Sequence, residues 1–314
     1  MYTIKRVAEL TGVGLSTLRA WERRYGVVTP QRSDGHYRLY TDADVRTIAI
    51  MAALVHDGWS AGEAAAETLQ RVTGSVEHLE HLESGADPAG ADGAGTEALG
   101  ELIRAADNLQ APEVAALLDR GLASGGTFEE VANRWLMPTL IGVGEAWADG
   151  RLSVAGEHLV SYAVQRRLAA FYESASGRGA GPLVVFGLPP GARHELGILT
   201  FAVAARRAGV STAYVGADLP GDTWESAVQT RRAAAVVMAV PRLADVVAAQ
   251  GVVDRLRAGS PDLVIGVGGR HQDDVSGVTH LGHDFAAGAA LLQSEVSTAA
   301  TGGQGSGKSG PSMS

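Results

Sequence analysis

The sequence predicts a multidomain protein of α and α/β class: a winged helix-turn-helix, a four-helix bundle, and a doubly wound parallel α/β (Rossmann-like) domain. Three observations carry this. The first fifty residues interleave arginines with aromatic residues around a turn-rich segment; residues 97–177 space apolar side chains by three and four; and residues 182–293 alternate short apolar runs with amphipathic stretches. At 314 residues the chain is long enough for about two or three packed units.

In the head, residues 1–72, Thr3 is placed to cap a helix running to Leu10, and Thr11–Gly14 supplies a glycine-containing turn. A second helix begins near Ser16, with Leu15, Leu18, Trp21 and Tyr25 as its buried stripe and Arg19, Arg23 and Arg24 on its other faces. Arg32-Ser33-Asp34-Gly35-His36-Tyr37-Arg38-Leu39-Tyr40 reads as a wing turning at Asp34-Gly35, and Thr41-Asp42-Ala43-Asp44 as a capping box opening the next helix. Eight Lys and Arg face five acids over residues 1–50, a local net of +3 within a chain of net charge −9. Nucleic acid is therefore expected at this end, since guanidinium groups bind phosphate and the guanine edge.

Residues 73–96 are rich in Ser, Gly, Ala, Asp and Glu and read as a flexible linker. The segments LGELIRAADNL, EVAALLDRGL, VANRWLMPTLIGVGEAW and EHLVSYAVQRRLAAFY predict the four helices of a bundle over 97–177. Residues 181–295 follow as the sheet domain, with strands PLVVFGL, TAYVG, AAVVMAV and LVIGVGG, and 296–314 as a disordered tail. No run approaches the ~20 apolar residues of a membrane span and no signal-peptide core opens the chain, so a cytoplasmic protein without a membrane partner is expected. The absence of cysteine excludes disulfides, thiolate metal sites and a cysteine nucleophile.

Within the sheet domain, His194 falls in the loop after the first strand, at the edge where open α/β sheets bind ligands. Gly187, Gly191 and Gly197 around it, with Gly266-Val267-Gly268-Gly269 after the fourth strand, predict close approach of backbone to a large ligand.

VAELTGVGLSTLRAWERRYG followed by RSDGHYRLYTDADV closely resembles the opening of MerR-family regulators along about 65 residues. The resemblance implies a recognition helix in the major groove, with Thr17, Arg19 and Arg23 near bases or phosphates and Tyr25 on the DNA backbone. The wing residues Arg32, His36, Tyr37 and Arg38 would grip flanking phosphates of double-stranded operator DNA. Such half-sites imply a homodimer or tetramer.

The sheet segment resembles cobalamin-binding domains, in which the histidine of Asp-x-His-x-x-Gly ligates cobalt from below. Trp147-x9-Glu157-His158 is similar to the corresponding residues of CarH-type light-dependent regulators, which combine the three modules in this order. This implies adenosylcobalamin as cofactor, with the bundle as its cap and the sheet as a cobalamin-type domain. His194 becomes the lower cobalt ligand, Gly197, Gly268 and Gly269 cofactor contacts, and Trp147, Val154 and Glu157 the pocket on the adenosyl side. His158 is implied as the cobalt ligand after photolysis.

Two departures bear on cofactor affinity. Ala192 stands where the motif has its acid, and Ala239-Val240-Pro241 replaces a Ser-x-Leu-like motif. The leading expectation is a light- and adenosylcobalamin-controlled transcriptional regulator, a repressor and photoreceptor rather than an enzyme. The alternative is a MerR-like regulator whose sensor domain is degenerate, independent of cobalamin and responsive to another ligand or a protein partner. A corrinoid enzyme or methyl carrier is disfavoured, because no segment remains for a substrate domain.

Overall fold

Apolar periodicity, caps and glycine stops set the N-terminal elements of the computed structural model, which describes residues 1–32, 38–56, 59–69, 93–175 and 181–302. The chain divides into two compact units, Met1–Val114 with Leu140–Leu159, and Ala115–Thr139 with Val160–Ser314.

In the first unit, β1 (Tyr2–Thr3) leads into α1 (Ile4–Thr11), capped by the Thr3 side chain accepting the Arg6 N–H. α1 and α2 (Leu15–Tyr25) both stop at glycines in the left-handed conformation, Gly12 (φ 71°) and Gly26 (φ 62°). β2 (Gln31–Arg32) and β3 (Arg38–Tyr40) form the wing, and β1 pairs antiparallel with β3 in the order β1-β3-β2. Thr41 and Asp44 exchange the expected capping-box bonds at the start of α3 (Asp42–His56), and α4 follows over 61–69. Val7, Leu18, Trp21, Tyr40, Ile48, Met51 and Ala64 close one apolar core. Leu15, expected in the buried stripe, is instead 41% exposed. As the first residue of α2 it precedes the turn that packs.

The helical segment contains α5 (Gly93–Asp107), α6 (Ala111–Leu122), α7 (Phe128–Val131), α8 (Met137–Ala148) and α9 (Val154–Ser174). A π-helical stretch, Ala132–Leu136, joins α7 to α8 without a break. The expected linker boundary at 96 is too late, because α5 already begins at Gly93. The linear division into bundle and sheet domain also differs from the compact units: α6, the α7–α8 rod and α9 each contribute residues to both.

The second unit holds a fully parallel sheet in the order β5-β4-β6-β7-β8, with β4 at Leu183–Gly187, β5 at Ser211–Tyr214, β6 at Ala235–Ala239, β7 at Val264–Gly268 and β8 at Thr279–His280. Near-continuous burial along β4, β6 and β7 is what helices on both faces require. α10 (Leu196–Arg207) and α13 (Phe285–Gly302) pair with each other, as do α11 (Gly221–Arg231) and α12 (Val246–Gly259). A core of Val185, Trp224, Val236, Met238, Val252 and Ile265 lies under the second pair.

α13 runs through Gly302, past the expected start of the tail at 296. Buried Leu292 and Val296 anchor it, and the alanines that follow favour helix.

Candidate functional site

The head presents α2 as a cationic surface. Thr17, Arg19, Arg23 and Arg24 are exposed and Tyr25 is half-buried, with the Arg24 guanidinium 5.8 Å from its ring centroid. The backbone of Arg32 pairs with that of Arg38. His36 and Tyr37, with the expected Asp34-Gly35 turn, lie outside the described residues, as does the Arg32 side chain. Arg38 is committed within the protein: its Nε donates to both carboxylate oxygens of Glu22, at 3.1 and 2.9 Å. Glu22 also accepts from the Tyr40 hydroxyl at 3.4 Å. Burial, reinforced by the Glu22 charge, pushes the Tyr40 hydroxyl up to about 12, so it remains a donor. Glu22 thus ties the wing strand to α2. Sequence reading missed this, although an acid among three arginines on one helix was the available signal.

The segment 147–158 belongs to the first unit. α8 ends where Gly150 and Arg151 return their N–H groups to Trp147 and Ala146. Ser153 then starts α9, its hydroxyl accepting the Gly156 N–H while its own N–H donates to Asp107. A Cβ at Gly156 would lie 2.9 Å from the Ala106 carbonyl, so α9 meets α5 closely there. This geometry exposes His158 and leaves Val154 and Glu157 half-buried, with His158 Nε2 3.7 Å from the Glu157 carboxylate. Trp147 is half-buried and packs against the apolar core of the head.

In the second unit, the strand order reverses beside β4: β5 lies on one side and β6 on the other. The carboxyl end of such a reversal is where open α/β sheets bind ligands. His194 stands there, exposed, in the connection from β4 to α10. Gly197 sits in the first turn of α10, and a Cβ there would meet only Met137 Cε, at 3.8 Å. A Cβ at Gly268 would meet nothing within 4 Å, whereas one at Gly269 (φ 97°) would lie 2.8 Å from the Val240 carbonyl oxygen.

Gly269 is thus required by the close approach of the Val240 backbone. The connection after β6 rests on it, with the Val240 N–H donating to Gly268 and the His271 N–H to Val240. Arg242, in the same connection, pairs with buried Asp245 at 2.8 Å and reaches the Gly191 carbonyl at 3.5 Å. An exposed imidazole at the carboxyl end of the sheet is a nitrogen donor of the kind that a corrin-held cobalt ion accepts.

No group of three or more His, Cys, Asp or Glu among the described residues could hold a metal ion without such a cofactor. No helix among them is long and apolar enough to cross a membrane.

Residues 2–70 match the model of the MerR HTH family regulatory proteins and residues 98–172 that of the B12 binding domain. The chain is 36% identical to the HTH-type transcriptional repressor CarH of Myxococcus xanthus, over 74% of this chain and 76% of that one. It is 31% identical to the HTH-type transcriptional repressor CarA of the same organism, over 90% and 92%. The head alone is 47% identical over 58 residues to the HTH-type transcriptional regulator MlrA of Escherichia coli, covering 18% of this chain and 24% of that one. Two repressors matched over most of their lengths, with a MerR head followed by a B12-binding domain, establish that the chain belongs to the family of HTH-type transcriptional repressors that includes CarH and CarA.

Proposed function

We propose that the chain is an adenosylcobalamin-dependent repressor whose oligomerisation and operator binding respond to light. The observation that carries this reading is His194, exposed at the carboxyl end of β4 beside the strand reversal, in a chain of this family. Bound adenosylcobalamin supplies a light-sensitive cobalt–carbon bond. His194 would offer a ring nitrogen to the cobalt, and Gly197 and Gly268, where an added Cβ would meet little or nothing, would allow the cofactor close to the backbone. Gly269 would be a further backbone contact to the cofactor, on a loop that also packs against Val240. By the family resemblance, Trp147, Val154 and Glu157 would be the residues for the adenosyl side, and His158 would be the cobalt ligand after photolysis.

In the head, α2 enters the major groove with Thr17, Arg19 and Arg23, and Tyr25 contacts the DNA backbone. Arg32, His36 and Tyr37 grip flanking phosphates, while Arg38 contributes chiefly by holding the wing through Glu22. A homodimer or tetramer in the cytoplasm reads repeated half-sites. Adenosylcobalamin would stabilise the assembly by binding it more tightly than the dispersed form, and light, by cleaving the cofactor, would remove that preference and disperse it.

The test is an absorption spectrum after dark incubation with adenosylcobalamin and desalting, repeated after illumination together with size-exclusion chromatography. A retained cofactor with light-dependent spectrum and size is expected. A colourless protein would favour the second reading, a cobalamin-independent sensor, for which Ala192 and Ala239 are the supporting observations.

A further inference from the structure

His194 lacks a carboxylate two positions upstream. Ala192 occupies that position and is fully buried, so a charged group there would have to be desolvated. A different acid reaches the loop. Asp218 lies in the connection after β5, and its contacts fall on the three residues preceding the histidine. Its Oδ1 accepts the Gly191 N–H at 2.7 Å, its N–H donates to the Ala192 carbonyl at 3.0 Å, and its Oδ2 lies 3.8 Å from the Arg193 guanidinium.

The other side of the histidine is held as well. Glu195 accepts from the Tyr214 hydroxyl and from Gln165 Nε2, each at 2.6 Å. Burial and then the Glu195 carboxylate keep the Tyr214 hydroxyl far above its ordinary range, so it stays a donor. Asp218 itself has φ 54°, the left-handed region that Asp, Asn and Gly enter most readily.

We propose that Asp218 is the positioning residue for His194, orienting its loop from the β5 connection in place of the acid that Ala192 replaces. The proposal rests on the reading of His194 as the lower cobalt ligand. A ligand imidazole needs its direction set before the metal arrives, and losing such an outer partner typically weakens metal affinity about ten- to a hundred-fold.

The left-handed backbone allows a clean pair of variants. Asp218→Asn keeps both the backbone preference and an oxygen for the Gly191 N–H. Asp218→Gly keeps the backbone and removes the oxygen. Full-length proteins carrying heavy-nitrogen histidine would be loaded with reduced hydroxocobalamin and studied by electron paramagnetic resonance. An axial protein imidazole then splits the cobalt lines into doublets, whereas the cofactor's own base gives triplets.

Wild type and Asp218→Asn are expected to show doublets with equal affinity, and His194→Ala none. Asp218→Gly should bind about ten-fold more weakly or worse and lose the doublet. In the cofactor-free chain, amide exchange at Gly191 should accelerate in Asp218→Gly alone, with unchanged melting. Equal doublets and affinity in Asp218→Gly, or unchanged exchange at Gly191, overturn the positioning role and leave His194 as ligand. Absence of a doublet in wild type overturns the ligand assignment, and with it the positioning role.

Discussion

The exposed cations of α2 make a quantitative demand on DNA binding. Each Lys or Arg that neutralises a phosphate contributes roughly 0.9 to the slope of log affinity against log salt. A fourfold rise in salt therefore costs about 3.5-fold in affinity per contact, and about 40-fold for three. Arg19, Arg23 and Arg24 are all exposed on one helix. If all three meet phosphates, replacing them with alanine should flatten the slope by roughly 2.7 units. If Arg19 instead reads a base edge, Arg19→Ala should keep its slope, lose about 1–3 kcal/mol and relax sequence preference at one position.

The assay is fluorescence anisotropy over a salt series, using a duplex selected from random sequence by the wild-type chain. Arg38→Ala provides the internal contrast. Its Nε is held by Glu22, so its removal should lower the melting temperature as well as affinity, by freeing a half-buried carboxylate on α2 itself. Unchanged affinity and slope in the triple variant would refute the assignment of α2 as the DNA-reading helix.

Three further outcomes follow from local geometry. Gly268→Ala should leave the melting temperature near wild type, because its Cβ enters open space, while weakening cobalamin binding in equilibrium dialysis; Gly269→Ala, at φ 97° and 2.8 Å from a carbonyl oxygen, should destabilise by roughly 2 kcal/mol or more. Asn133 accepts the Phe285 N–H and donates to Asp284 at the start of α13, so Asn133→Ala should cost about 1 kcal/mol in urea denaturation. The hydrogen bond from Arg167 holds the Asp119 carboxyl below its ordinary 3.8, so its contribution is complete above pH 3.8 and fades as pH falls through the lower folded value. Because Asp119 is largely exposed, Asp119→Asn should remove less than about 1 kcal/mol, visible as a shallower loss of melting temperature in acid.

What was legible in the sequence was whatever repeats or caps. Leu18, Trp21 and Tyr25 marked α2 by spacing, Thr3 and Thr41 marked helix starts through their side chains, and the buried runs of β4, β6 and β7 marked the sheet. The two-residue strands β1 and β8 are too short to establish a period, and only their pairing with β3 and β7 reveals them. The loop position of His194 after β4 was legible from the strand and the glycines around it; the bonds from Asp218 to that loop were not, because Asp218 lies in a neighbouring connection 24 residues later. Gly269 was legible as a close-approach position, but the Val240 backbone that approaches it was not, because that contact forms only when the connections after β6 and β7 meet. Glu22 and Arg38 likewise meet only after the wing folds back on α2.

The π-helical turn at Ala132–Leu136 has a consequence for comparing this chain with others. A continuous α-helix turns by about 100° per residue, so one extra residue rotates everything beyond it by more than a quarter turn. The wide turn absorbs that residue while α8 continues in the same rod. A relative lacking it would show a one-residue gap inside a helix, where an alignment ordinarily penalises gaps. Closing the gap by sliding residues would assign Trp147 to the wrong face. Deleting any one residue of 132–136 should accordingly do less harm than deleting one from α8, because only the first leaves the helix in an ordinary α-helical register.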